Sequence, residues 1–350
     1  MKECVVLGGT GFIGQQFIRL LENHPNLQLK AVYASSRSAG KTISEIWNLP
    51  YYSVPESLAN VEIMDLANIK KDFDLAFSGL PTIAANEIET NLAKQGIGVF
   101  SNASANRMGS DVPILIPEVN GQQAPIIKLQ QEKYGTPGFV ITNANCSVTG
   151  LAMYLSELRK VYDFDYVVIS TYQAMSGAGN SGVAGIEISG NVLPFIANEE
   201  DKIAIEANKI LGKFDGKQLV SENIDIVANC ARVPTVDGHL EAITVRGPEI
   251  PNLEDVKSYF KNISSPLEVS KYHTAPKHHV KYLSQENRPQ PALDANRGEN
   301  DQTRGMTTYV GRLRQSKKSL SAYVMVHNTI RGGAGGSILN AEYILAKNLV

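Results

Sequence analysis

Two apolar rhythms alternate through the first part of the chain. Residues 3–8 (ECVVLG) make a short continuous apolar run, which reads as a buried strand, and 12–24 (FIGQQFIRLLENH) repeat apolar residues at helical spacing. Residues 27–35 (LQLKAVYAS), 73–80 (FDLAFSGL) and 97–104 (IGVFSNAS) also predict strands, with a helix at 84–96 (AANEIETNLAKQG). Strands alternating with helices predict βαβ units on a parallel sheet.

The pattern changes near residue 143. A helix is predicted at 147–162, a strand running into glycines at 164–177, and a second helix at 199–212. Residues 223–247 and 305–330 predict strand pairs, and 334–350 a last helix that folds back onto the first domain. The Pro-, Asn- and Arg-rich stretch 284–304 predicts a long loop. The expected architecture is therefore α/β, with a Rossmann-like dinucleotide-binding domain at 1–142 joined by 330–350. An α+β domain with a mixed sheet follows at 143–329.

Composition narrows the function. A chain of 350 residues exceeds what one core usually holds, in keeping with two domains. A net charge of -2 speaks against a nucleic-acid or polybasic membrane surface. The 3 cysteines, Cys4, Cys146 and Cys230, have no CxxC spacing, so neither a disulfide framework nor a zinc site is expected. No metal site is expected elsewhere, and no apolar run of about 18 residues predicts a membrane span. The apolar run after Met1 is short and breaks into glycines, unlike a signal peptide, which points to a cytoplasmic protein.

Gly8, Gly11 and Gly14 stand at G-x-x-G-x-x-G spacing between a predicted strand and a predicted helix. Glycines there let the backbone approach a pyrophosphate, and the helix start offers free N–H groups. Thr10, Phe12 and Ile13 belong to the same loop and are expected cofactor contacts. The next strand ends in Ser35, Ser36, Arg37 and Ser38, where an NAD site usually carries an acid. Hydroxyls and a guanidinium suit a 2′-phosphate, so NADP is the expected cofactor; the alternative is an ordinary polar turn.

Cys146, in TNANCSVTG, sits where a helix begins. The helix field favours a thiolate there, and the first N–H groups could hold an oxyanion. Asn145 and Ser147 are cap-type residues. From these features alone Cys146 reads equally as a nucleophile or as a packed thiol, whereas Cys4 and Cys230 lie in strands and read as inert. His239, after a glycine and before an alternating strand, has the best setting for a base, although a structural histidine reads as well. His24 ends a helix, and His273, His278 and His279 fall in a basic stretch expected to be an exposed loop.

Taken together, GGTGFIG, SSRSAGK, SNASANRM, NANCS, TYQAMSGAG, EDKIAIEANKIL, RVPTVDGHLEA, RPQP, VGRLR and HNTIRGGAGG resemble, in order and spacing, the archaeal and fungal aspartate-semialdehyde dehydrogenases. The resemblance spans the chain. It implies a nucleophile at Cys146, an acid/base at His239, and a substrate-orienting Gln173. It implies Arg232 and Glu206 for the substrate's carboxylate and amino groups, with Asn145 alongside, and Arg107 and Lys209 for phosphate. It implies cofactor contacts at Ser176 and Gly177, and Asn328 near the nicotinamide end. The implied reaction is NADPH-dependent conversion of L-4-aspartyl phosphate to L-aspartate 4-semialdehyde, feeding lysine, threonine and methionine synthesis, by a homodimer or homotetramer built through a catalytic and dimerisation domain. Two departures occur: Ala144 replaces the frequent proline before Asn145-Cys146, and Gly333 replaces the first alanine of Arg-Gly-Ala-Ala. The nearest rival is malonyl-CoA reductase, which shares the cysteine chemistry but accepts an apolar residue before the cysteine. A non-catalytic NADP sensor and a cysteine acyl-hydrolase are the readings from other classes.

Overall fold

The structure, a computed structural model, describes residues 1–349. Six parallel strands form the first sheet: β1 (Lys2–Leu7), β2 (Leu27–Ala34), β3 (Ile63–Asp65), β4 (Leu75–Ser78), β5 (Gly98–Ser101) and β6 (Phe139–Thr142), in the order β3-β2-β1-β4-β5-β6. Both faces are covered, which explains why its central strands are apolar throughout rather than alternating. Cys4 and Val6 pack toward the helices Phe12–Leu21 and Gly335–Ala346, through Phe17, Ile18, Ile338 and Leu339. Val5 and Leu7 pack on the other side, toward Ala85 and Leu92 of the helix Thr82–Lys94. The C-terminal helix thus returns to the first sheet as expected. The strand order reverses between β1 and β4, so a crevice opens above their C-terminal ends, where such sheets bind ligands.

The second sheet is mixed. It contains β7 (Tyr166–Gln173), β10 (Asp225–Arg232), β11 (His239–Arg246), β12 (Val280–Leu283), β13 (Thr308–Gln315) and β14 (Leu320–Val326), in the order β10-β7-β11-β14-β13-β12. In the chain between β7 and β10 comes a separate two-stranded ribbon, β8 (Lys213–Phe214) and β9 (Leu219–Val220). One face packs on the helices Cys146–Leu158, Glu199–Leu211 and Leu253–Lys261 around Leu151, Leu155, Ile169, Ile203 and Val256. The other face carries Tyr172 and Val227, both exposed, so β7 and β10 alternate where β4 and β5 do not.

Three expectations change. Residues 223–247 do give two strands, but they are not partners: β7 lies between them, parallel to β10 and antiparallel to β11. Alternation reports which face a residue occupies, not which strand lies beside it. Only 305–330 forms a paired hairpin, β13 with β14. The stretch 284–304 is not wholly loop: the short helix Pro291–Asp294 anchors it, with Asp294 buried against Arg288. His279 is buried rather than exposed, because its Nε2 meets Glu157 Oε1 at 2.9 Å. Strands β3, β6 and β12 are not predicted by the sequence pattern, being only 3, 4 and 4 residues long. No helix among the described residues is long and apolar enough to cross a membrane.

Candidate active site

The helix Cys146–Leu158 starts where the chain leaves β6. Asn145 is its N-cap: Oδ1 accepts hydrogen bonds from Ser147 N at 2.9 Å and Val148 N at 3.2 Å. Cys146 is therefore the first helical residue, at the end where the helix field favours negative charge and its own N–H has no intrahelical partner. His239 opens β11, directly after Gly238, whose φ of +90° few other residues would adopt. The sulfur and the imidazole, distant in sequence, meet with Sγ 3.1 Å from Nε2.

The ring's tautomer follows from its other side. The backbone N–H of Ala174 donates to His239 Nδ1 at 3.0 Å. A proton on Nδ1 would collide with that donor, so the neutral ring carries its proton on Nε2, and Nε2–H points at the sulfur. Burial, then Arg232 and His327, lower the imidazole pKa to about 3. Burial and the charge of Glu199 raise the Cys146 thiol to about 12, against the pull of Arg107 and Arg232. The resting pair is a neutral thiol facing a neutral N–H donor.

Cationic and polar groups surround the pair. Gln173 and Arg232 end the adjacent parallel strands β7 and β10 in register, which brings both side chains to the same rim. Arg232 Nη1 donates to Ala174 O at 2.8 Å. Gly177 makes room for it: a Cβ there would lie 2.8 Å from Arg232 Nη1 and 3.2 Å from His239 Cε1. Arg107 is buried; its Nη1 pairs with Glu206 Oε1 at 3.0 Å, while Nε and Nη2 donate to Asn143 O and Asn102 O. Glu206 Oε2 accepts the backbone N–H of Asn145 at 2.8 Å. Lys209 stands apart from this group. Its Nζ donates to Arg107 O, Gly109 O and Val112 O at 2.6, 2.8 and 2.8 Å, and burial lowers its pKa to about 8. It holds the 107–112 loop behind Arg107 and does not line the cleft.

The cleft, ≈ 270 Å³, joins Cys146 and Arg107 to Gly11, Phe12 and Ile13 of the glycine loop and to Asn328. Gly8 has φ +79°, and a Cβ on it would meet Gly79 O at 2.7 Å across the crevice; one on Gly14 would meet Gly8 O at 2.2 Å. Those two glycines close the turn, while a Cβ on Gly11 would make only an ordinary 3.6 Å contact with Gly8 O. Asn180 Nδ2 reaches over from the second domain to Thr10 O at 2.6 Å. Asn328 ties Ser176 Oγ to the N–H of Gly238, at 2.8 and 2.9 Å. Ser35, Ser36 and Arg37 are exposed and Ser38 half-exposed at the end of β2, in a turn closed by Ser38 N to Ser35 O at 2.9 Å. A larger cavity of ≈ 540 Å³ lies at the opposite end of the first sheet, against Lys2, Tyr272 and Glu342, and contains none of these groups.

Two site residues were not anticipated. Glu199 accepts from Asn145 Nδ2 at 2.8 Å and from Gln173 Nε2 at 3.0 Å, both on Oε1. In the sequence it is one acid in an acidic first helical turn, indistinguishable from Glu200. Gly332 packs on Cys146, with room for no Cβ: one would lie 2.9 Å from Cys146 Cα. Cys4 and Cys230 are buried in β1 and β10.

With this geometry in place, the relatives are informative. Residues 3–126 match the semialdehyde dehydrogenase NAD-binding domain, and 155–331 match the semialdehyde dehydrogenase dimerisation domain. Aspartate-semialdehyde dehydrogenase from Methanothermobacter thermautotrophicus is 41% identical, covering 98% of this chain and 99% of its own. The chain belongs to the aspartate-semialdehyde dehydrogenase family. The Saccharomyces cerevisiae aspartate-semialdehyde dehydrogenase is 40% identical over 100% of this chain and 99% of its own. The crystal structure of aspartate semialdehyde dehydrogenase with NADP from Candida albicans superposes with a TM-score of 0.88 at 36% identity, covering 100% of both chains. The aspartate semialdehyde dehydrogenase II from Vibrio cholerae shares the fold, with a TM-score of 0.77 at 20% identity over 99% of this chain and 98% of its own. In the family frame, the glycine at 333 has a local reason: a Cβ there would lie 2.7 Å from Ile13 Cδ1 of the glycine loop.

Proposed function

We propose that this protein interconverts L-4-aspartyl phosphate and L-aspartate 4-semialdehyde with NADP, through a thioester on Cys146, within lysine, threonine and methionine synthesis. The observation that carries the reading is the 3.1 Å approach of Cys146 Sγ to His239 Nε2 at a helix start, in a cleft shared with a dinucleotide-type glycine loop. The residues present fit that dinucleotide. Gly11 lines the cleft, the first turn of the helix Phe12–Leu21 offers free N–H groups, and β2 ends in exposed serines and Arg37 instead of an acid. The chemistry the nicotinamide supplies when bound is hydride.

The residues of the chain account for the rest. Arg232 and Glu206 supply the charges that recognise an amino acid's carboxylate and ammonium, and Gln173 orients the acyl group between them. Arg107 supplies the cation for phosphate, while Lys209 stabilises its loop from behind. Sγ attacks the acyl carbon; the S–C bond forms, the C–O bond to phosphate breaks, and the thiol proton leaves on the phosphate oxygen as hydrogen phosphate. This route is proposed because Nε2 already carries a proton and cannot take another while Ala174 N–H occupies Nδ1. The backbone N–H of Cys146, left free while Asn145 caps Ser147 and Val148, and Nε2–H are the donors for the charge that builds on the acyl oxygen. When the aldehyde product separates, the acyl oxygen's electron pair re-forms the C=O bond, the C–S pair leaves on sulfur as a thiolate held by Nε2–H, and a proton taken from solvent restores the thiol. We place the cofactor-binding unit at 1–142 with 330–350 and the catalytic unit at 143–329. The exposed sheet face bearing Tyr172 and Val227 is the surface through which the dimerisation domain would pair two copies.

The test is NADPH formation from aspartate semialdehyde, NADP and phosphate, run beside malonyl-CoA with NADPH. Turnover with the semialdehyde that requires phosphate is expected, and Cys146→Ser should abolish it. Turnover with malonyl-CoA alone would replace the substrate assignment, and an active Cys146→Ser would overturn the chemistry.

A further inference from the structure

Asn145, the residue before the nucleophile, is held at two points by one helix. Glu199 and Glu206 are seven residues apart on the helix Glu199–Leu211, which places them on the same face. Glu206 takes the backbone N–H of Asn145 and Glu199 takes its side-chain N–H, at 2.8 Å each. The remaining polar atom of that side chain, Oδ1, caps Ser147 and Val148. An asparagine amide can sit either way round, and only one way caps a helix. A carboxylate accepts and never donates, so Glu199 forces the NH₂ toward itself and the oxygen toward the helix start. The same Oε1 holds Gln173 Nε2, whose other contact is Thr171 Oγ1 at 3.3 Å. Both carboxylates are buried, so water does not offer either amide an equal partner.

We infer that Glu199 is a positioning residue: through Oε1 it fixes the orientation of the Asn145 and Gln173 amides, and so sets the start of the Cys146 helix and the substrate-facing end of β7. This inference rests on the proposed function only for its catalytic consequence. The arrangement has an electrostatic cost, since Glu199 is the charge that opposes thiolate formation at Cys146. A carboxylate retained beside a nucleophile despite that cost is explained by its geometry, since nothing else in the site accepts from both amides.

The experiment compares Glu199→Met, which keeps length and removes both acceptor oxygens, with Glu199→Gln, which keeps one acceptor and removes the charge. Two measurements are made. Hydrogen–deuterium exchange of the peptide spanning 145–150, without substrate, reads the cap directly. Steady-state kinetics with aspartate semialdehyde, phosphate and NADP read the consequence. In Glu199→Met, the Ser147 and Val148 amides are expected to exchange at least about tenfold faster, and kcat to fall about tenfold or more with KM for NADP unchanged. Glu199→Gln should recover most of both losses. Wild-type exchange in Glu199→Met overturns the clamp. A Glu199→Gln as impaired as Glu199→Met overturns it too, because charge rather than orientation would then be at stake. If the wild-type protein failed to turn over the semialdehyde, the proposed function would fall, while the exchange measurement would still decide the clamp.

Discussion

Gly332→Ala perturbs the site without removing any reacting group. An added methyl carbon would lie 2.9 Å from Cys146 Cα, 3.1 Å from its Cβ and 3.1 Å from its carbonyl oxygen, where ordinary contacts begin at 3.4 Å. Something must therefore move by about half an ångström in a close-packed region. The touched atoms are backbone atoms and a Cβ, so no flexible tip can swing away. Both sides are tied: Cys146 follows the Asn145 cap, and Gly332 N donates to His327 O at 2.9 Å. Overpacking of this kind costs about 1–3 kcal/mol of stability. Misplacing a reacting group by about 1 Å costs about 100-fold in rate, so half that shift, applied to a sulfur 3.1 Å from its imidazole, should cost about tenfold in kcat. Initial rates of NADPH formation, with melting temperatures on the same samples, check both numbers. Gly333→Ala is the comparison: its Cβ would lie 2.7 Å from Ile13 Cδ1, the end of a side chain that can rotate, and 3.2 Å from Asn328 O, a contact only slightly tight. It should lose less than about threefold, mostly in KM for NADP, since Ile13 lines the cleft. Wild-type kcat and melting temperature in Gly332→Ala would refute the packing argument.

Three further outcomes are expected. Iodoacetamide should alkylate Cys146 ever faster as pH rises, without levelling off near neutrality, because burial holds the thiol at about 12; a plateau below roughly pH 8 would contradict this. Arg37→Ala should raise KM for NADP about tenfold or more and leave NAD unaffected, and equal effects on the two cofactors would remove Arg37 from the 2′-phosphate site. At Glu157, burial raises the pKa, but bonds from His279, Lys160 and Tyr259 outweigh it and bring the carboxyl from 4.5 to about 2. A depressed carboxyl stabilises the fold above its unfolded value and loses that contribution as pH falls from 4.5 toward 2. Glu157→Gln should therefore flatten the acid side of the melting-temperature profile, and an unchanged acid slope would contradict the assignment.

The chain's own pattern determined the elements that carry the site. Continuous apolar runs in β4 and β5, against alternation in β7 and β10, distinguish a sheet covered on both faces from one covered on one. Gly8 and Gly14 were legible for a local reason, the positive φ at Gly8 and the closeness of Gly14 to Gly8 and Gly9, although Gly79 across the crevice adds to the crowding at Gly8. The helix beginning at Cys146 was legible from the cap-type Asn145. Tertiary structure decided everything that depends on neighbours distant in sequence. It inserted β7 between β10 and β11, turned Lys209 away from the cleft onto three carbonyls, and singled out Glu199 from an acidic turn. It also determined which nitrogen of His239 holds the proton, through one backbone N–H that lies 65 residues away. The physical reason is range: periodicity and caps are governed by interactions a few residues apart, whereas a hydrogen bond to a buried side chain depends on which segments folding has made adjacent.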